Sequence, residues 1–351
     1  MILDLALLVA VAFVTSLFVS RAMIWIGPID LPNEERKLHS APTPTSGGIG
    51  IGAGYGAAMV VLSLSSFEWR QHIGDEGVAA LWVSALFAYP LLVVGVVDDT
   101  RHLSAEFKFA IYSVLALAAA WFMGVVTEVP IGGYVVYLPF IVGLLGTALW
   151  VFTLVNVVNF MDGANGMAMG SVALGLFALS ILSLEGGAIG GAATALCGAG
   201  ALLGFLVWNF PGGRLFAGDS GALFAGALSA FACLIVIGHA GVSPLVAPIV
   251  FFPLLADSLL TLFYRARRRR SLLVAHAEHI YQIAIASGWS HARIAVTYWV
   301  AMAACGAIAI VVNRDATNVA PAVALAVMVA AAIVVDAIVR RSAEAAGILK
   351  H

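Results

Sequence analysis

The sequence predicts an all-α polytopic membrane protein of about 11 transmembrane helices, with the N-terminus outside and the C-terminus inside. Composition is the first reason. The chain is 62% hydrophobic and only 10% charged, with mean hydropathy +1.03, which no soluble globular chain of 351 residues would tolerate. Length is the second: apolar stretches of about 20 residues recur throughout, each enough to span a bilayer core as helix. The third is charge placement. With the N-terminus outside, Arg21, Arg36, Lys37, Arg101, Lys108, Arg214, Arg265, Arg267 to Arg270, Arg293, Arg340, Arg341 and Lys350 all fall inside, 15 of the 17 basic residues, and only Arg70 and Arg314 fall outside. Short cytoplasmic loops accumulate such an excess because positive charge resists translocation.

The spans follow in order. The first, 2–20, ends at Arg21; it has no basic leader, and Asp4 is its only early charge, so it reads as an uncleaved helix rather than a signal peptide. The second, 47–67, follows a polar segment at 28–46. The third, 78–97, closes on Asp98-Asp99, and the fourth, 107–125, opens on Lys108. Thr127 to Tyr137 then alternates β-formers around Gly132-Gly133, as a small hairpin capping the outer face would. The fifth span, 139–158, runs into Asn156-Val-Val-Asn159-Phe-Met-Asp162-Gly163-Ala-Asn165-Gly166. The sixth and seventh, 167–184 and 187–208, are closely spaced. The eighth, 220–238, opens on Gly218-Asp219-Ser220-Gly221. The ninth, 244–264, carries Asp257 near its middle and leads into the basic run Arg265 to Arg270. Spans at 294–312 and 320–339 complete the set, the last with Asp336 four residues before Arg340, a spacing that a helix-face ion pair explains. No soluble domain is appended and no internal repeat is visible, so 1–351 reads as a single integral-membrane domain. Cys197, Cys233 and Cys305 all lie inside predicted helices and read as small core residues.

Counting crossings puts every polar cluster on the cytoplasmic face. Each has a plain structural reading. A lone acidic pair such as Asp98-Asp99 is most simply a solvated helix end, yet an acid at a helix C-terminus opposes the macrodipole unless something cationic binds there. Lys108, at a helix start, is also on the wrong end of the dipole, and a phosphate ligand would relieve it. Asn and Gly at 156–166 could form a turn, but three asparagines and an aspartate exceed what a turn needs. Asp219 alone could be an N-cap. His276 and His279, three residues apart, share a face if that stretch is helical; no further Cys or His lies nearby to complete a zinc site. The arginine run reads as a topogenic block facing lipid headgroups. Asp257, an intramembrane acid, reads as a buried hydrogen-bonding group rather than an ion-transport residue.

Taken together, carboxylates, asparagine amides, a lysine and histidines on one membrane face suit a Mg²⁺–pyrophosphate substrate. Carboxylates hold the metal, and Lys or His takes up the remaining phosphate charge. A lipid phosphate lying between helices could be the second substrate, which makes the chemistry phosphoryl transfer from a soluble nucleotide to a lipid.

These residues, in this order, resemble the polyprenyl-phosphate N-acetylhexosamine-1-phosphate transferases, the membrane superfamily of the MraY and WecA types. The likeness covers nearly the full length. It rests on Asp98-Asp99 with Lys108, on the 156–166 segment, on Phe216-Ala-Gly-Asp219-Ser-Gly221, on His276-Ala-Glu278-His279-Ile-Tyr281-Gln282, and on the early stretch from Pro32 to Gly50. The resemblance implies one transferase domain and a role for each position. Asp219 would be the principal Mg²⁺ ligand, assisted by Asn159 or one of Asp98 and Asp99, with Mn²⁺ able to substitute. Asp98 would be the base on the lipid phosphate, and Lys108 would contact the pyrophosphate. Phe216 would stack on the uracil, Asp162, Gly163 and Asn165 would shape the nucleoside pocket, and His276 and His279 would face the sugar–phosphate. Direct attack by the lipid phosphate and a covalent aspartyl intermediate both fit these residues; direct attack is favoured, because a phosphate monoester dianion is already a competent nucleophile.

The MraY-type enzymes generally carry Asp where this chain has Asn165, and a triple-histidine run where it has His276 to Gln282. That argues against a muramyl-pentapeptide donor. The present form is similar to WecA- and WbpL-like enzymes that initiate O-antigen or capsule synthesis with UDP-GlcNAc or a 6-deoxy-HexNAc. The expected partners are therefore a UDP-HexNAc, undecaprenyl phosphate and membrane lipids, with no nucleic acid, at a bacterial inner membrane, and a homodimer is a possible assembly. A transporter or flippase is the alternative from another class. It would spread ionisable residues across the midplane and break helices in corresponding halves, whereas Asp257 is nearly alone at mid-depth here. An inactive scaffold is expected to have lost one of Asp98, Asp99, Asn159 or Asp219, and all are present.

Overall fold

The computed structural model describes residues 2–30, 42–64, 67–101, 103–272 and 276–349, with side chains over the same ranges except 67–76. Most of the early family-like stretch, from Pro32 to Ala41, lies outside the described residues, as do Arg36, Lys37, Lys350 and the side chain of Arg70 from the charge count. The described chain is α-helical, with two short antiparallel strand pairs. In order the elements are α1 (Ile2–Ile26), β1 (Ile29–Asp30), β2 (Thr43–Pro44), α2 (Gly48–Leu64), α3 (Phe67–Arg101), α4 (Ala105–Met123), β3 (Glu128–Ile131), β4 (Tyr134–Tyr137), α5 (Phe140–Met161), α6 (Met167–Glu185), α7 (Ile189–Asn209), α8 (Gly218–Ala240), α9 (Val246–Val250), α10 (Phe252–Arg267), α11 (Ile280–Ala286), α12 (His291–Val312) and α13 (Val319–Ala345).

Every predicted apolar span has its helix, and nine of them, among the described residues, are long and apolar enough to cross a membrane unaided. The other two differ for local reasons. Helix α2 has only 17 residues. The ninth span breaks at Phe251, where α9 ends, and α10 resumes with a proline in its first turn, a position at which the missing N–H costs nothing.

Helices α7 and α8 form the centre, buried along most of their length, with α1, α2, α3, α5 and α6 packed around them. Helix α13 sits at the rim, its most apolar stretch unburied. Apolar side chains such as Phe18, Trp121, Val327 and Ile338 point outward, as they must where the solvent is lipid. The two ends of the bundle differ. At one, β3 and β4 pair antiparallel around Gly132 and Gly133, which both take positive φ (62° and 78°), the geometry of a tight two-residue hairpin turn. Gly133 N–H donates to the Thr317 carbonyl (2.9 Å), and Arg314 pairs with Glu185 (2.6 Å). The other end collects the polar clusters.

Candidate active site

Helices α3, α4, α5 and α8 end together there. Asp98 is buried, and its two oxygens accept from Lys108 Nζ (2.7 Å) and from the Leu103 N–H (2.7 Å). The lysine also lies 3.9 Å from Asp219 Oδ2, so one ammonium stands between two carboxylates from α3 and α8. Asn159, at the end of α5, donates from Nδ2 to Asp219 Oδ1 (2.8 Å). Asp99 turns the other way. Its Oδ1 accepts from the Asp219 N–H (2.7 Å) and its Oδ2 from the Ser220 N–H (3.3 Å) and hydroxyl (2.9 Å). The acid that opposes the dipole of α3 therefore caps the N-terminus of α8, where negative charge is favoured. Such contact needs close helices. A Cβ on Gly95, one turn before Asp99, would collide with the Ser220 backbone, so only glycine lets α3 approach.

The rest of the site is built on loops. Gly47 N–H bonds to the Phe216 carbonyl (2.9 Å), and Phe216 N–H to the Pro44 carbonyl (2.9 Å), which ties the first polar segment to the loop before α8. Buried Asn209 closes α7 and serves both flanking loops: its Oδ1 accepts from Gly166 N–H (2.5 Å) and its Nδ2 donates to the Leu215 carbonyl (2.8 Å). Asn165 is held by His291 Nδ1 on its N–H (3.2 Å) and by the Pro211 carbonyl on its amide (3.3 Å). Asp162 is half-buried between α5 and α6. Burial pushes its carboxyl well above the usual range, and nearby Asp219 and Asp99 push the same way.

The histidine segment packs beside this loop. Tyr281, fully buried, donates to the Phe160 carbonyl (3.2 Å), and its ring fills the space that a side chain at Gly163 would need. His279 lies 6.3 Å from the Phe160 ring and stacks on His276 at 5.0 Å. The two histidines do meet, but not across a helical face: His276 precedes α11 and His279 is its N-cap, with the Gln282 side chain returning to the His279 N–H (3.1 Å). Burial, then the nearby charges of His279 and Arg265, lowers His276 to about 4, so it is neutral at pH 7. Asp257 receives the N–H groups of Ile280 (2.8 Å) and Tyr281 (3.2 Å) and the Tyr298 hydroxyl (2.6 Å), the buried hydrogen-bonding role expected for it.

Asp98, Asp99, Lys108, Asn159 and Asp219 thus make one contiguous cluster; Asp162, Gly163, Asn165 and Phe216 lie on the adjoining loops, and His279 borders Phe160 with His276 stacked on it. Ser220 and Tyr281, which stand in the sequence inside motifs without a role of their own, also shape the site, as do Asn209 and Tyr298, which the sequence did not single out. Asn209 alone left a trace there, as an amide at the end of an apolar run just before Pro211-Gly212-Gly213.

Does a divalent cation suit this donor set? Among the described residues no three His, Cys, Asp or Glu side chains gather closely enough to hold a metal by themselves. Mg²⁺ does not require that: it is commonly held by one or two carboxylates, with water and phosphate oxygens completing the octahedron. Asp98 and Asp219, sharing one ammonium, with the Asn159 amide beside Asp219, are an all-oxygen set of that kind.

Comparison with known proteins agrees with the sequence resemblance. The family model described as glycosyl transferase family 4 matches residues 81–237, which run from within α3 to near the end of α8 and so hold the carboxylate cluster. The decaprenyl-phosphate N-acetylglucosaminephosphotransferase of Mycolicibacterium smegmatis is 29% identical over 92% of this chain and 85% of its own length. The enzyme of the same name from Mycobacterium tuberculosis is 30% identical over 80% of this chain and 75% of its own. The phospho-N-acetylmuramoyl-pentapeptide-transferase of Bacillus thuringiensis is 29% identical over 73% and 79%.

Proposed function

Because this chain belongs to glycosyl transferase family 4, the polyprenyl-phosphate N-acetylhexosamine-1-phosphate transferases, we propose that it moves HexNAc-1-phosphate from UDP-GlcNAc, or a 6-deoxy-HexNAc relative, onto undecaprenyl phosphate. The products would be undecaprenyl-diphospho-HexNAc and UMP, the opening step of a cell-surface polysaccharide. The observation that carries this reading is the Asp98–Lys108–Asp219–Asn159 cluster at the membrane-surface end of four helices.

In this reading a phosphate oxygen of the lipid attacks the β-phosphorus of the nucleotide sugar. The bond from that phosphorus to the bridging oxygen breaks, and the electron pair leaves with UMP. Asp98 and Asp219, aided by Asn159, would hold Mg²⁺, which when bound neutralises pyrophosphate oxygens. Lys108 adds a second positive charge within reach of both carboxylates. Asp99 acts one step back, fixing the backbone that carries Asp219. Asp98 keeps the incoming phosphate deprotonated. Phe216, Asp162, Gly163 and Asn165 receive the nucleoside, and the neutral His276 and its stacked neighbour His279 receive the sugar–phosphate. The excess of Arg and Lys at this end supports an inside-facing site at a bacterial inner membrane, where nucleotide sugars are available. Asn165 and the two histidines three residues apart, in place of a triple-histidine run, support an N-acetylglucosamine-type donor over a muramyl-pentapeptide.

The test is an exchange assay on purified protein with Mg²⁺ and undecaprenyl phosphate. UDP-GlcNAc, UDP-GalNAc, UDP-MurNAc-pentapeptide and a UDP-6-deoxy-HexNAc are offered in parallel. UMP release with a lipid-diphosphate product is expected from the first or last donor, and Asp219→Ala should reduce it by about 100-fold or more. Release from the muramyl donor alone would overturn the sugar assignment.

A further inference from the structure

The chain's last helix, α13, touches none of the carboxylates, yet it reaches the histidine loop through a buried polar relay. Arg340 is 4% exposed. Its guanidinium donates in three directions: to Asp336 Oδ1 (2.8 Å), to the Thr261 hydroxyl (2.8 Å) and to the backbone carbonyl of Glu278 (3.0 Å). The Thr261 hydroxyl in turn donates to Asp257 Oδ1 (3.3 Å). Asp257, 3% exposed, then accepts both leading N–H groups of α11 and the Tyr298 hydroxyl, and lies 3.4 Å from His279 Nδ1. Residues 278 to 281 are thereby pinned from α10 and α13 at once, with Tyr298 of α12 holding Asp257 in place.

A buried carboxylate and guanidinium are expensive in isolation and persist where each lone pair and proton has a partner. Here three of those partners, the Glu278 carbonyl and the Ile280 and Tyr281 N–H groups, are backbone of one short segment, and the rest are side chains of α10, α12 and α13. Packing alone would be served by apolar residues of similar volume. The polar relay adds direction: it sets where His279 begins α11, and so where the His276–His279 stack stands against Phe160.

We propose that Asp257 and Arg340 are positioning residues for the histidine loop, so that α13 takes part in building the active site. For its consequence in turnover the inference rests on the sugar–phosphate role given above to His276 and His279. An isosteric amide cannot replace Asp257, because one of its two heads would present N–H groups to donors already aimed at it.

Two measurements on the full chain in nanodiscs test this. The first needs no substrate: amide hydrogen exchange in Asp257→Asn and Arg340→Met, with Arg314→Ala at the opposite end as control. Exchange over 276–282 should rise about 10-fold, the loss of a charge-assisted hydrogen bond, with the 156–166 loop and α8 unchanged. An unchanged loop, or a rise spread evenly over the bundle, overturns the proposal. The second is UMP release in a double-mutant cycle. Arg340→Met alone should lower turnover by roughly 100-fold, as a misplaced group does. In a His279→Ala background it should cost little more, because both changes disable one loop. Multiplying losses would mean Arg340 supports the fold in general and would overturn the positioning role. If the parent protein turns over no donor, the transfer reading fails by itself, while the exchange data still decide whether the relay holds the loop.

Discussion

Asp99 and Asp98 are neighbours in sequence with opposite duties, and single substitutions should separate them. Removing the Asp99 carboxylate leaves the Asp219 and Ser220 N–H groups and the Ser220 hydroxyl without their acceptor. Asp99→Ala should therefore cost about 1–3 kcal/mol of stability, read as a lower melting temperature in detergent, together with lost turnover. Asp99→Asn, which keeps an acceptor oxygen, should recover part of both. His276 sets a pH dependence. An unfolded histidine titrates near 6.5, whereas in the fold this ring binds its proton only near pH 4. Between those values unfolding takes up a proton, so its contribution is complete above about pH 6.5 and drains away as pH falls toward 4. His276→Gln should flatten the fall in melting temperature across that window. At this scale the sequence was informative about the charged and amide residues, because such side chains at the ends of apolar runs need a reason to be there. It was silent on Tyr298 and offered only a faint trace of Asn209, whose hydrogen bonds join segments 41 and 43 residues apart.

Elements were more legible than residues. Eleven apolar runs fall on helices, because a bilayer admits so few backbone solutions, although several helices outrun them, α3 starting at Phe67 rather than 78, and Gly132-Gly133 signalled its hairpin through the one turn that needs two positive φ values. The ninth span broke where nothing in its hydropathy required a break. Its second half carries Asp257 and Thr261 toward α11 and α13, and that purpose lies in partners far along the chain. Likewise, the pair His276 and His279 suggested a helical face, and an N-cap brought the rings together instead. Close approach of elements is equally hidden, since a glycine in an apolar run has many uses. Gly95→Val should push α3 from α8, lowering stability by about 1–3 kcal/mol and separating Asp98 from Asp219; a melting curve and the exchange assay read the two effects independently.

For the molecule as a whole, the hairpin at 128–137 and the basic run after α10 are expected on opposite sides of the membrane. Tyr134 is 80% exposed, and Arg269 is exposed as well. Cysteines placed there one at a time, as Tyr134→Cys and Arg269→Cys, should react differently with an impermeant maleimide on intact cells: the first labels, the second only after the membrane is opened. The reverse pattern would invert the topology. The direct bond from α3 to the start of α8 also has a bearing on how the protein is made. Asp99 leaves the ribosome 120 residues before the N–H of Asp219 that it will bind. The ribosome and the insertion machinery must therefore handle α4 to α7 while that carboxylate has no helix to cap, and the carboxylate cluster closes only when α8 joins the helices already delivered. The cluster thus forms late in synthesis, the histidine loop and α13 later still, and a chain interrupted in the loop before Gly218 is a membrane protein with most of its spans and half a cluster.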